Sequence, residues 1–164
     1  NEEKRSDPLS NAALLVHADR TSRSSREKRR DEMSAIKRID VVAALMRDGE
    51  KIFICQRPAN KGRALQWEFP GGKIEPGEEP EEALIRECKE ELAVELAVGK
   101  LYAETTHHYP DLSIHLLLFE AELIKGRPQM IEHNDQRWVR RDELRQYDFC
   151  PADQIFIEQL MKEA

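Results

Sequence analysis

The chain contains 164 residues, of which 40% are hydrophobic and 35% are charged, and its formal net charge is −6. This length suits one domain without a second large core, and the composition is that of an ordinary soluble protein. The negative charge argues against general nucleic-acid binding, so we expect no stable nucleic-acid partner. No apolar run reaches the roughly 20 residues of a membrane span, and the polar N-terminus lacks the apolar segment of a secretory signal. Three widely spaced cysteines favour a reducing compartment, so we expect a cytoplasmic protein without a membrane partner.

The N-terminal residues differ in composition from the rest of the chain. Residues 1–32 show little apolar periodicity and include a Ser- and Arg-rich basic run at 20–30 and a short apolar patch at 12–16. We therefore predict a poorly structured N-terminal extension over residues 1–38 and a folded domain over residues 39–164. An arm that attracts polyphosphate or RNA, and an arm for self-association, are alternatives to a plain tail. Both a monomer and a homodimer remain open.

From position 39 onward the pattern alternates between short strands and helices. An apolar run over 40–47 ends at Asp48-Gly49, a hairpin signal, and leads into a second strand over 51–56. Further strands are predicted at 66–70, about 94–105, 113–123 and 136–139. Helices are predicted after Pro80, which marks a first turn, and over 153–162. Strands interleaved with two helices predict an α/β fold with a mixed β-sheet sandwiched between α-helices.

Six residues near the first predicted helix lie at fixed offsets. The pattern G-x5-E-x7-R-E-x-x-E-E is formed by Gly72, Glu78, Arg86, Glu87, Glu90 and Glu91. Because helical neighbours fall at i+3 and i+4, the last three glutamates project together from consecutive turns. A divalent cation turns this repulsion into a binding site, and carboxylate oxygens suit Mg²⁺ or Mn²⁺. A solvated acidic helix is the alternative, but it explains neither the glycine pair Gly71-Gly72 nor the offsets.

At these positions the sequence resembles the Nudix hydrolases, whose signature continues as R-E-U-x-E-E-x-G-U, where U is a bulky aliphatic residue. Every charged position of the signature matches. Cys88 occupies an aliphatic position, and Ala93 stands where the signature has glycine, a change that bears on the left-handed end of the helix and not on the carboxylates. The resemblance implies the Nudix fold and a metal site for Mg²⁺ or Mn²⁺ formed by the carbonyl of Gly71 and by Glu87, Glu90 and Glu91, with Arg86 orienting the glutamates.

The similarity extends from about position 39 to the C-terminus and is greatest to the MutT-type nucleotide pyrophosphohydrolases. It implies that Glu132 is a remote metal glutamate, that Phe69 lines the base pocket and that Asp153 reads the base. Arg57 and Lys73 are candidates for phosphate contact. Each residue also has a plainer interpretation. Arg57 would be a surface arginine, Phe69 a core residue, Glu132 a solvated loop residue and Asp153 a helix N-cap.

The implied activity is the hydrolysis of (deoxy)nucleoside triphosphates to monophosphate and pyrophosphate. Metal ions bridge phosphate oxygens and acidify a water, with Glu87 or Glu90 as the general base. The leading hypothesis is removal of oxidised nucleotides such as 8-oxo-dGTP, and the alternative is a CTP or 5-methyl-dCTP pyrophosphohydrolase. Asp153 separates the two, because an ionised carboxylate only accepts hydrogen bonds whereas a protonated one also donates. A non-catalytic nucleotide-binding Nudix module is the alternative from another class, but such modules lose the metal glutamates.

Overall fold

The computed structural model describes residues 24–34 and 37–163, without the side chains of residues 31–34. Helix α1 spans Ser25–Ser34 and belongs to a unit separate from the one that begins at Arg38. A capping box starts the helix, since Ser24 Oγ accepts a hydrogen bond from the Glu27 N–H at 3.3 Å and the Glu27 carboxylate accepts one from the Ser24 N–H at 3.1 Å. The helix lies within the predicted extension of residues 1–38, and the apolar patch at 12–16 lies outside the described residues.

Seven strands form one sheet. They are β1 (Lys37–Asp48), β2 (Lys51–Gln56), β3 (Trp67–Glu68), β4 (Gly71–Lys73), β5 (Glu95–His108), β6 (Leu112–Lys125) and β7 (Asp135–Arg140). The order is β3-β2-β1-β6-β5, with β4 paired to β1 and β7 paired to β2. This sheet is accompanied by helix α2 (Pro80–Leu92), helix α3 (Gln154–Met161) and two short 3-10 helices at Arg141–Gln146 and Pro151–Asp153.

The predicted hairpin between the first two strands is confirmed. Strands β1 and β2 are antiparallel, with Arg47 opposite Ile52 and Asp48 opposite Lys51. Gly49 in the connecting turn has φ +58°, a left-handed conformation that favours glycine. The predicted strand at 66–70 is instead two short strands, because β3 ends at Glu68 and β4, which begins at Gly71, pairs with β1 rather than extending β3.

The apolar run of β1 is continuous because both faces of the sheet are covered. Ala43 and Leu45 lie in a buried cluster that includes Phe156 and Leu160 of α3. The alternate side chains of β1 lie in a second buried cluster, which they share with helix α2. Its members from β1 are Val42, Ala44 and Met46, and those from α2 are Ala83, Leu84, Cys88 and Leu92. Alternating residues of a strand point to opposite faces, so the sheet is sandwiched between the two helices, as predicted. No helix among the described residues is long and apolar enough to cross a membrane.

Helix α2 ends as the resemblance leads one to expect. Its C-cap, Ala93, has φ 56° and ψ 40°, and its N–H donates to the carbonyl of Lys89 at 3.1 Å. The left-handed conformation costs alanine about 1 kcal/mol relative to glycine. Alanine at this position therefore weakens the helix end without moving the carboxylates.

The C-terminal helix differs from its prediction in both bounds and capping. It is preceded by the 3-10 turn Pro151–Asp153, and α3 itself begins at Gln154. Asp153 occupies the N-cap position but makes no side-chain capping hydrogen bond, and the residue is only 5% exposed. Asp153 is therefore the N-cap by position, but its carboxyl group does not cap the helix. Its carboxyl group faces the protein interior.

Candidate active site

A cavity of about 600 Å³ opens between β1, β4, the β2–β3 loop, the β5–β6 turn and the 3-10 turn before α3. It brings together eight of the ten residues singled out from the sequence, namely Arg57, Phe69, Gly71, Lys73, Glu87, Glu91, Glu132 and Asp153. Arg86 and Glu90 do not line it and lie beside it on α2. The side chains that the resemblance selected from distant parts of the chain are thus neighbours in space.

Arg86 is the centre of an ion-pair network beside the cavity. Its Nε and Nη2 donate to the two carboxylate oxygens of Glu78 at 2.8 and 2.9 Å. Its Nη1 lies 2.9 Å from Glu87 Oε1 and 3.4 Å from Glu90 Oε2, and Nη2 also donates to the carbonyl of Lys73 at 3.1 Å. This arginine therefore fixes three signature glutamates and ties α2 to strand β4.

The network has an electrostatic consequence for Glu78. The hydrogen bonds from Arg86, followed by the backbone N–H of Glu75, lower the pKa of Glu78 to about 2. Donors to a carboxylate stabilise its charged form. Glu78 consequently serves as a fixed anionic anchor for Arg86, which explains why the signature specifies a glutamate at this distance before the helix.

The glycine pair is required by close packing. A Cβ on Gly71 would lie 2.7 Å from Ala43 Cα and would collide with the carbonyl of Val42. A Cβ on Gly72 would collide with the carboxylate of Glu87. Each glycine thus has a steric reason, and Gly72 allows the Glu87 carboxylate to rest against the backbone of β4.

Glu91 is the most perturbed carboxyl of the signature. Its side chain is 15% exposed, and burial, followed by the charges of Glu87, Glu132 and Glu68, raises its pKa to about 8. One of its oxygens, Oε2, is buried and has no hydrogen-bond partner. Buried carboxylates normally have a partner, and like charges around one carboxyl favour a bound cation.

This arrangement fits a divalent ion. We call Glu68, Glu87, Glu91 and Glu132 the carboxylate cluster; it offers hard oxygen donors and an unpaired buried oxygen, and Gly72 leaves room for the Glu87 carboxylate. In the described part of the chain, however, no three Asp, Glu, His or Cys side chains converge tightly enough to form a closed ligand set. The carboxylates of Glu87 and Glu90 are paired with Arg86 instead. Binding an ion here requires these two side chains to exchange Arg86 contacts for the metal.

Arg57 is already engaged within the protein. Its Nε donates to the carbonyl of Gly62 at 2.8 Å, and its Nη1 donates to Glu68 Oε2 at 3.1 Å. Glu68 was not assigned a role from the sequence, although it directly precedes Phe69, which the resemblance places in the base pocket. The interpretation of Arg57 as a plain surface arginine does not hold, because the side chain lines the cavity and is 24% exposed.

Asp153 is buried in a part of the cavity that we call the Asp153 wall, formed by Arg63, Phe69, Tyr109, Ala152 and Asp153. Burial, followed by the charge of Glu68, raises the pKa of Asp153 well above its usual range, and the backbone N–H of Phe69 only partly opposes this shift. A neutral carboxyl is therefore favoured, with one O–H donor and one carbonyl acceptor.

Sequence reasoning missed Lys61, Arg63, Tyr109 and His133, which also line the cavity. His133 Nε2 lies 3.7 Å from Glu68 Oε1 and 3.9 Å from Glu91 Oε2. These residues lie in loops without a regular pattern. The adjacency of His133 to Glu132 was the one available signal for it, while Tyr109 had only its place directly after His107 and His108.

Comparison with known proteins agrees with this geometry. The sequence model of one family, described as "NUDIX domain", matches residues 37–160. This chain belongs to the Nudix family. The recognition of a Nudix hydrolase from the signature is thus confirmed, together with the predicted fold class. Members of this family use a divalent metal ion, in agreement with the predicted type of cofactor.

Two curated relatives from Escherichia coli (strain K12) cover most of the chain. The sequence is 39% identical over 126 residues to a CTP pyrophosphohydrolase, covering 77% of this chain and 93% of the relative. It is 33% identical over 128 residues to an 8-oxo-dGTP diphosphatase, covering 77% of this chain and 99% of that one. The predicted similarity to MutT-type nucleotide hydrolases is confirmed by both.

Solved structures show the same similarity. The solution structure of the E. coli ORF135 protein has a TM-score of 0.67 and 38% sequence identity, covering 78% of this chain and 91% of that chain. A MutT protein of the Nudix family from methicillin-resistant Staphylococcus aureus 252 has a TM-score of 0.65 and 36% identity, covering 79% and 99%.

Proposed function

We propose that the protein is a Mg²⁺-dependent pyrophosphohydrolase that cleaves (deoxy)nucleoside triphosphates to monophosphate and pyrophosphate, with oxidised nucleotides such as 8-oxo-dGTP as its main substrates. One observation carries the proposal. A single cavity contains both the carboxylate cluster and, beside Phe69, a buried Asp153 whose pKa is raised well above its usual range by burial. A site with clustered carboxylates suits the polyphosphate and its metal, and a buried donor–acceptor pair suits a nucleobase.

The metal site is proposed to consist of Glu87, Glu90, Glu91, the carbonyl of Gly71 and Glu132. The unpaired Glu91 oxygen and its raised pKa support this choice. Mg²⁺ is the proposed ion, with Mn²⁺ as a substitute, because only oxygen donors are offered. When bound, the ion supplies charge neutralisation on the phosphates and a water of lowered pKa.

The remaining steps fall to side chains of this chain. Without metal, Arg86 holds Glu87 and Glu90 in position on α2. We propose that one of these two glutamates accepts the proton from the attacking water. Lys73 and Arg57 contact phosphate oxygens. Since Arg57 already donates to Glu68, we propose that its free donor groups serve the substrate. A non-catalytic nucleotide-binding module would not need these charged residues together.

The neutral form of Asp153 supports an oxidised purine. Its O–H can donate to the O6 acceptor, and its carbonyl oxygen can accept from the N7–H that distinguishes 8-oxoguanine. A CTP or 5-methyl-dCTP pyrophosphohydrolase is the second candidate, favoured by the 39% identity to the E. coli CTP pyrophosphohydrolase. An ionised Asp153 would accept from the exocyclic amine of cytosine.

The domain organisation and the setting of the enzyme are part of the same proposal. Residues 39–164 are proposed to form the catalytic domain, and residues 1–38 an N-terminal extension. The enzyme acts in the cytoplasm on the free nucleotide pool, as a monomer or homodimer. Similarity to MutT-type relatives supports this setting.

The test is a screen of the purified protein with 8-oxo-dGTP, dGTP, CTP, 5-methyl-dCTP and GTP, with and without Mg²⁺. Released pyrophosphate and nucleoside monophosphate are both measured. We expect equal amounts of the two products, an absolute requirement for the metal, and the highest kcat/KM for 8-oxo-dGTP. Release of inorganic phosphate in place of pyrophosphate, or no turnover of any nucleoside triphosphate, would overturn the proposal.

A further inference from the structure

Arg63 and Tyr109 form a stacked pair on the Asp153 wall. The guanidinium carbon of Arg63 lies 3.6 Å from the centroid of the Tyr109 ring. At this distance the planar cation is in face contact with the ring, a geometry in which arginine binds aromatic faces. Both side chains line the cavity, so the pair contributes a flat, partly cationic surface to it.

The pair is tied directly to the neighbour of Asp153. The hydroxyl oxygen of Tyr109 accepts a hydrogen bond from the backbone N–H of Ala152 at 3.0 Å. A side chain from the β5–β6 turn thus fixes the backbone that presents the Asp153 carboxyl. Loss of the Tyr109 hydroxyl would therefore free the backbone of Ala152, the residue directly before Asp153.

Arg63 is held in place at an energetic cost. Its backbone has φ 56°, and that of Leu65 has φ 61°, a left-handed conformation that residues other than glycine rarely adopt. Its Nε is buried without a hydrogen-bond partner. On the outer side, Arg63 Nη2 lies 3.5 Å from Asp111 Oδ1. Backbone strain of this kind is concentrated at ligand clamps and active sites.

We propose that Arg63 and Tyr109 determine specificity, with the stacked pair forming one face of the nucleobase pocket and Tyr109 also positioning Asp153. This inference rests on the proposed function. A nucleobase is planar and stacks on arginine and aromatic planes. The positive charge of Arg63 is already compensated by the ion pair with Asp111 and by contact with the Tyr109 ring. The pair also adjoins Asp153. It is therefore suited to a base rather than to the polyphosphate, which Lys73 and the carboxylate cluster serve.

The test combines steady-state kinetics with metal-independent binding of nucleoside monophosphates. Arg63→Ala, Arg63→Lys and Tyr109→Phe are compared with Arg140→Ala, a control arginine that lies outside the cavity, is 57% exposed and pairs with Asp142. kcat and KM are measured for 8-oxo-dGTP, dGTP and CTP, and dissociation constants are measured by calorimetry for the corresponding monophosphates. Melting temperatures verify that each variant is folded.

Arg63→Ala is expected to raise KM for the preferred nucleotide by about fivefold or more, to leave kcat within about twofold, and to change the ratio of kcat/KM between two nucleotides by at least about threefold. Arg63→Lys should not restore the wild-type values, because an ammonium group is not planar. Tyr109→Phe keeps the stack, so its KM should stay within about twofold while the base ratio shifts. Arg140→Ala should match the wild type.

An equal rise in KM for every nucleotide would overturn the inference in favour of general attraction of phosphate, and so would unchanged kinetics and binding. If the wild type turns over no nucleoside triphosphate, the proposed function fails, and the calorimetry decides the inference separately. Base-dependent weakening of monophosphate binding by Arg63→Ala would then still support the pair as a base-contacting surface, and uniform or absent weakening would overturn it.

Discussion

The carboxylate cluster and the Asp153 wall lie in one cavity but are built in opposite ways. The cluster takes two of its four members from helix α2, where Arg86 holds the signature glutamates in ion pairs. The wall is assembled from four separate segments, namely the β2–β3 loop, the β3–β4 connection, the β5–β6 turn and the 3-10 turn before α3. Asp153 within it is only 5% exposed. Charge defines the first region and burial defines the second. The proposed metal site thus relies on local spacing along one helix, whereas the proposed base pocket depends on tertiary packing.

The largest effect is expected from removing one signature carboxylate. Glu90→Gln and Glu91→Gln should each lower kcat by about 10²-fold or more, because each loses a metal charge and a possible general base. The matched control is Glu82→Gln, an exposed glutamate in the first turn of the same helix, which should retain normal turnover. Near-normal kcat for both variants at saturating Mg²⁺ would contradict the assignment of the metal site to the signature helix.

The two regions also differ in how pH acts on them, and the carboxylate cluster supplies the sharper test. The raised pKa of Glu91 favours the neutral form in the folded state, so its stabilising contribution is lost as pH rises from the ordinary glutamate value of 4.5 to about 8. In EDTA, the melting temperature should therefore fall by about 3 °C or more across this window, and Glu91→Gln should reduce the fall. Added Mg²⁺ should restore stability at pH 8 in the wild type but not in the variant.

A smaller effect is expected at the end of helix α2, outside both regions. Ala93→Gly should stabilise the protein by about 0.5–1 kcal/mol, since glycine adopts the observed left-handed conformation without strain. Urea unfolding measures the difference, and kcat/KM should remain unchanged because Ala93 does not line the cavity. A destabilised variant, or one with altered kinetics, would contradict the assignment of Ala93 to a purely local role.

The smallest effect is expected from the N-terminal extension. Deletion of residues 1–32 should leave kcat/KM within about threefold, roughly 0.6 kcal/mol, because the residues proposed to act all follow position 39. Kinetics of the truncated protein with 8-oxo-dGTP provide the measurement. A hundredfold loss in kcat/KM would contradict this prediction and show that the extension is needed for activity.

The signature glutamates could be predicted from the sequence because they lie within one continuous segment. The offsets from Gly72 to Glu91 are read along one segment, and helix geometry alone brings the last three glutamates together. The signature specifies both Gly72 and Glu87, but only the fold shows that a side chain at position 72 would collide with the Glu87 carboxylate. Helix α1 could have been recognised from Ser24 and Glu27, but without an apolar face the capping box was overlooked.

The Asp153 wall was less accessible from the sequence. Asp153 and Phe69 were found only through resemblance, and a cap was an equally simple explanation of Asp153 until its burial was known. Arg63 and Tyr109 are 46 positions apart in sequence, and their contact depends on a left-handed loop residue and on a turn between long strands. No local pattern encodes such a contact, because both conformations are imposed by tertiary packing.

We propose that Asp153 selects the base while the carboxylate cluster holds the metal, and the variant Asp153→Asn separates these two roles. The ratios of kcat/KM for 8-oxo-dGTP over dGTP and for CTP over GTP are measured in the wild type, in Asp153→Asn and in Asp148→Asn, an exposed control. We predict that at least one ratio changes by about tenfold or more in Asp153→Asn, equivalent to about 1.4 kcal/mol, with kcat for the best substrate within about threefold. A retained or improved 8-oxo-dGTP preference supports sanitation of oxidised nucleotides, and a lost CTP preference supports the cytidine alternative. If neither ratio moves beyond about twofold, the base is read elsewhere and the claim is contradicted.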